Sequence, residues 1–144
     1  MARDRTVMQA CLLGALVSLL LVGAISSTLI RHAVQVLPLA LALLLMRKSW
    51  APCAALALFL FWLFLMILIW LFLAGVSKII TGHFTPAETA LTFVIGACCV
   101  GGGMASIRAR SGAGWWSCAA AFAGFALLQI AAMWLSLQPV FATR

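Results

Sequence analysis

Five apolar stretches separated by short polar breaks make up nearly all of this chain. The most uniform, 54–75, carries no charge, hydroxyl or amide; apart from Trp62, Trp70 and the closing Gly75 it is Leu, Phe, Ile, Met and Ala throughout. About 20 residues at a rise of ~1.5 Å cross the ~30 Å hydrocarbon layer, so the stretch predicts a transmembrane helix. A helix apolar on every side has no water to face and has to be surrounded by lipid or by other apolar helices.

The remaining stretches are read from their breaks. The run 7–25 is apolar except for Gln9 and Ser18 and follows Arg3 and Arg5. It is longer than the apolar region of a signal peptide and is read as a retained first span. Ser26 and Ser27 interrupt it, and a second span is expected over 28–46, with Arg31, His32 and Gln35 in its first turns and Pro38 inside. Proline removes a helical hydrogen bond but is tolerated within a protected bundle. The third span is expected over 53–75, behind Pro52. Thr85, Pro86 and Glu88 then form a capping-box signature that starts a fourth helix over 86–107, with proline where its missing N–H costs nothing. A fifth runs over 115–137 and stops at Pro139. The fold class expected is all-α, a polytopic bundle of about five transmembrane helices forming one domain over 1–144; four spans result if 28–46 does not cross.

Charge gives the bundle an orientation. With five spans and the N-terminus in the cytoplasm, Arg3, Arg5, Arg47, Lys48, Arg108 and Arg110 fall inside, and Arg31, Lys78 and Arg144 outside, as the positive-inside rule requires. Trp50, Trp115 and Trp116 would mark one membrane interface and Trp134 the other. Composition agrees: 67% of residues are hydrophobic, 8% are charged and the mean hydropathy is +1.24, which excludes a water-soluble fold. The net charge of +7 is dispersed in ones and twos beside apolar runs, so no nucleic-acid footprint results. The partner implied throughout is the lipid bilayer. Arginine's excess over lysine and the abundant alanine point to a GC-rich bacterial genome, and the location expected is a bacterial inner membrane.

The fourth and fifth helices are built of small residues, among them Gly96, Gly101, Gly102, Gly103, Ala123 and Gly124. Helices in lipid associate through close packing at small residues. With a short turn between them, the two are expected to form a tight antiparallel hairpin with the bulky third helix outside it. Gly101, Gly102 and Gly103 would alternatively give a flexible helix lining a solute path.

Chemistry is bounded by subtraction. Asp4 and Glu88 are the only acids, so neither a paired-carboxylate hydrolase nor a carboxylate metal cage can be built. A Ser-His-Asp arrangement would require Asp4 to cross the membrane to His32 or His83. The two histidines are poor haem ligands as a pair, because His83 falls in a loop, and no cofactor or metal is expected. Cys98 and Cys99 adjoin on one helix and point about 100° apart. Cys11, Cys53 and Cys118 fall near the face read as cytoplasmic, so no structural disulfide is expected. What remains is a polar rim: Arg31, His32 and Gln35 on the second helix, Glu88 on the fourth, with Gln129 of the fifth helix as a further candidate. An Arg31–Glu88 ion pair would let the arginine sit near hydrocarbon. Otherwise Arg31 snorkels to headgroups and Glu88 only caps its helix.

Small multidrug exporters are similar in being short, multi-span and centred on one glutamate. Theirs lies within the first of four spans, whereas Glu88 stands at the mouth of the fourth of five, and no family is assigned. Two functions stay open. The sequence favours a non-catalytic accessory or assembly subunit of a larger membrane complex, with a membrane-protein partner or a second copy of itself. The alternative is a small oligomeric transporter with a ligand or proton site at Arg31, His32, Gln35, Glu88 and Gln129. A filled bundle favours the first and a polar-lined cavity the second.

Overall fold

The computed structural model of the chain describes residues 2–79, 82–109 and 111–142. Among them there is no strand, and the elements are α1 (Ala2–Ile25), α2 (Leu29–Leu44), α3 (Ala51–Leu73), α4 (Pro86–Arg108), α5 (Trp115–Ser136) and a single turn, α6 (Pro139–Ala142). α1, α3, α4 and α5 are long and apolar enough to cross a membrane. The chain is thus an all-helical membrane protein. α2, at 16 residues, spans only about 24 Å and is shorter than expected. It begins at Leu29, behind a tight turn in which Ser27 takes a positive φ of 58°, Ser26 Oγ donates to Val22 O at 2.7 Å and Thr28 N donates to Gly23 O at 2.8 Å, and it ends at Leu44, two residues short of the expected limit. Arg110 and Arg144, used in the charge count, lie outside the described residues.

The five long elements form a closed ring. α1 packs between α2 and α4, α4 against α3, α3 against α5, and α5 against α2. Successive helices run in opposite directions, so Arg3, Arg5, Arg47, Lys48 and Arg108 lie at one end of the bundle and Glu88 at the other. Trp50, Trp115 and Trp116 share the basic end, and Trp134 lies toward the Glu88 end.

The expected hairpin of α4 and α5 does not form: among the described residues the two make no contact, and α3 lies between them. The reason is visible at the glycines of α4. A Cβ on Gly102 would collide with the ring of Phe59, and one on Gly96 with the indole of Trp70. Small residues in a membrane helix accept a large side chain as readily as they accept each other, and here α3 supplies the large side chains. Trp70 locks the contact, stacking on Phe93 at 5.2 Å and donating from Nε1 to Thr92 Oγ1 at 3.1 Å. Gly101 and Gly103 are less crowded: a Cβ on Gly101 would lie 3.6 Å from Cys11 Sγ, and one on Gly103 would lie 3.9 Å from Phe59 Cβ. Ala123 and Gly124 face outward on α5, with nothing within 4 Å of a Cβ placed on Gly124.

A second departure is at the cysteines. Cys53, near the start of α3, is joined to Cys118, near the start of α5, as a disulfide with Cα atoms 5.5 Å apart. Sequence spacing cannot reveal such a pair, because 65 residues separate thiols that only the ring brings together.

Candidate functional site

The capping box forms as its residues predict. Glu88 N donates to Thr85 Oγ1 at 3.2 Å, and Thr85 N returns a bond to Glu88 Oε2 at 2.7 Å. Thr85 Oγ1 also donates to Glu88 Oε2 at 2.9 Å. This fixes the carboxylate on the inner side of the first turn of α4, where Glu88 is only 7% exposed.

Opposite it, the α1–α2 turn delivers His32 and Arg31. His32 is pressed against Gly23, where a Cβ would lie 2.7 Å from the histidine's own Cβ, so only glycine admits so close a turn. His32 Nδ1 lies 3.1 Å from Thr28 O. Nδ1 lies at the same distance, 3.1 Å, from Thr28 Oγ1, which in turn lies 2.6 Å from Ser26 Oγ, so Thr28 holds the ring through both of its oxygens. One helical turn on, Gln35 Nε2 donates to Ser136 Oγ at 2.9 Å and lies 3.4 Å from Met133 Sδ. Gln129 Nε2 donates to Gln35 O at 3.0 Å. These bonds strap α2 to α5.

Arg31, His32, Gln35 and Glu88 all line one cavity of about 290 Å³, walled by residues of all five helices. It reaches from Phe84 and Glu88 at the rim down to Trp62, the middle residue of α3. Gln129 does not line it; fully buried, it belongs to the strap, and its Oε1 has no hydrogen-bond partner. Arg31 and Glu88 share the cavity but, among the described residues, do not form an ion pair. The carboxylate's Oε2 is engaged by Thr85, and Arg31 Nε is buried with no partner.

Two contributors lie outside the rim set read from sequence. Thr92 Oγ1 donates to Thr89 O at 2.7 Å while accepting from Trp70. Trp62, 4% exposed, has an indole N–H with no partner. Trp62 gives no signal in an unbroken apolar run, because such a run does not say which of its faces turns inward. Among the described residues no three His, Cys, Asp or Glu side chains are grouped to hold a metal ion. His83 is exposed in the loop before α4 and is not part of the cavity.

Comparison with known proteins gives no match to a family model, to a curated protein or to a solved structure.

Proposed function

We propose that this chain is a small membrane transporter whose solute site is the cavity shared by Arg31, His32, Gln35 and Glu88. The observation that carries the reading is the cavity itself: a largely apolar pocket with Arg31, His32, Gln35 and Glu88 toward its mouth, reaching the mid-depth of α3 at Trp62, with every helix of the ring contributing to its wall. Ionisable groups within a membrane bundle are costly and mark solute or ion paths when they face a cavity. A subunit whose role is only to fill space has no need of them there.

The construction also supports movement. α2 is the shortest wall, contains Pro38, follows a three-residue turn, and is held to α5 by the hydrogen bonds of Gln35, Gln129 and Ser136. Breaking those few bonds would let α2 swing relative to α5. With the basic end in the cytoplasm, the orientation the positive-inside rule favours, the cavity would open to the outer side of the membrane.

The accessory-subunit reading retains one supporting observation. α5 buries only Phe125, Gln129, Ala132 and Ser136 and leaves Ser117, Ala120 and Gly124 outward, a face on which a partner helix or a second copy would pack. Access to the cavity separates the two readings. In membrane vesicles of both orientations, Leu65→Cys, deep in the cavity wall, is exposed to an impermeant maleimide, and the peptide carrying it is quantified by mass spectrometry. A transporter is labelled from both sides; labelling from one side only overturns the reading.

A further inference from the structure

We infer that the cavity takes a net-neutral zwitterion with an apolar body, of about the size of a leucine or phenylalanine molecule. The inference rests on the reading of the cavity as a solute site and names the solute's chemistry.

It follows from an account of the cavity's polar groups. Thr92 is satisfied by Trp70 and Thr89, the amide nitrogen of Gln35 by Ser136, and Nδ1 of His32 by Thr28. Oε2 of Glu88 takes both donors of Thr85. Among the lining residues two buried polar atoms have no partner, Nε–H of Arg31 and Nε1–H of Trp62, and both are donors. Leaving a buried donor unmet is costly, so the occupant has to bring acceptor oxygens.

Charge narrows the class further. The guanidinium and the carboxylate line the same cavity without pairing. A lone anion answers Arg31 and leaves Glu88 with only its Thr85 donors, and a lone cation answers Glu88 and leaves the Arg31 and Trp62 N–H groups unmet. A molecule carrying both charges meets each group with its opposite: its anionic oxygens go to Arg31 and the Trp62 N–H, and its ammonium to Glu88. The remaining wall, including Leu19, Val22, Leu65, Met66, Ile69 and Ile95, is apolar and suits a hydrocarbon or aromatic side chain. At about 30 Å³ per water-sized unit, the 290 Å³ holds roughly ten heavy atoms.

A free amino acid and the headgroup of a phosphatidylethanolamine share this chemistry, and the test distinguishes them. The full-length protein, purified in detergent, is titrated by calorimetry with leucine, phenylalanine, octanoate and hexylamine, and separately with dihexanoyl phosphatidylethanolamine and dihexanoyl phosphatidylglycerol below their micellar concentrations. Saturable binding of an amino acid that exceeds octanoate and hexylamine supports a free zwitterionic solute. Preference for the ethanolamine lipid over the glycerol lipid, with no amino-acid binding, supports the same site chemistry with a lipid occupant. Octanoate or hexylamine binding as tightly as every zwitterion, or no saturable binding by any of the six, overturns the inference.

Trp62→Phe keeps the ring and removes the donor, and it is expected to weaken the preferred zwitterion about tenfold or more, as loss of a hydrogen bond to a charged group does. Arg31→Gln gives an independent check, with loss of the preference for zwitterion over hexylamine. If neither variant changes binding, the site is elsewhere and the inference falls. Labelling of Leu65→Cys needs no ligand. Two-sided labelling without zwitterion binding therefore removes the solute class alone, and one-sided labelling removes the transport reading alone.

Discussion

Gly102 and Gly124 are the same residue in two small-residue helices, and their surroundings assign them opposite weights. The ring of Phe59, itself almost fully buried, occupies the space where a Cβ of Gly102 would go, whereas nothing stands within 4 Å of one on Gly124. Gly102→Ala therefore forces Phe59 and its neighbours to shift, a cost of about 1–3 kcal/mol for overpacking a filled core. Gly124→Ala should be neutral or slightly stabilising, since alanine is the better helix former. Thermal unfolding in detergent, followed by tryptophan fluorescence, reads the contrast: a lowered midpoint for Gly102→Ala and an unchanged or raised one for Gly124→Ala. Composition shows that both helices are rich in small residues, but only the placement of α3 shows which of those residues are notches. The capping box of Thr85 and Glu88 was legible because its signal is local, four consecutive positions with fixed roles. The unmet N–H of Trp62 was not legible, because nothing in a uniformly apolar helix marks an inward face.

At the scale of elements, α5 is the most loosely held long helix. It turns inward along one narrow stripe, Phe125, Gln129, Ala132 and Ser136, and is tied at the Glu88 end by the Gln35 strap and at the basic end by Cys53–Cys118. The existence and approximate limits of four long helices followed from apolar run length and from the breaks at Pro52, Pro86 and Pro139. The neighbours of each helix did not, since in lipid the partner is chosen by the fit of side chains such as Phe59 on Gly102, not by a polar face. The same limit hid the disulfide. Its location at the basic end also bears on orientation: a cytoplasm keeps thiols reduced, while an oxidising compartment preserves the bond. Alkylation before lysis, followed by peptide mapping, reads the state in cells. With the basic end in the cytoplasm, Cys53 and Cys118 are each expected to carry the alkylating group; recovery of a linked Cys53–Cys118 peptide would contradict that orientation. In purified, oxidised protein the linked peptide is expected, and its reduction should lower the unfolding midpoint by freeing the start of α5.

The whole molecule is a ring of five helices, antiparallel at every contact except the parallel α3–α5 pair, around a cavity that reaches its middle, and both functional proposals depend on that ring. In a ring, α4 and α5 are separated by α3; in a simple hairpin of the last two helices they would touch, and Arg31, Gln35 and Glu88 would have no reason to share one space. Val100 on α4 and Ala123 on α5 are both exposed, and antiparallel matching across the 108–115 connection puts them at similar depth. Spin labels at Val100→Cys and Ala123→Cys, on a background with the native cysteines replaced, measure the separation directly by dipolar coupling. With helix axes about 8–10 Å apart at each contact, the ring predicts a separation of about 20 Å or more between the outward-facing labels. A separation of about 10 Å would put α4 directly against α5 and contradict the ring and the cavity it encloses.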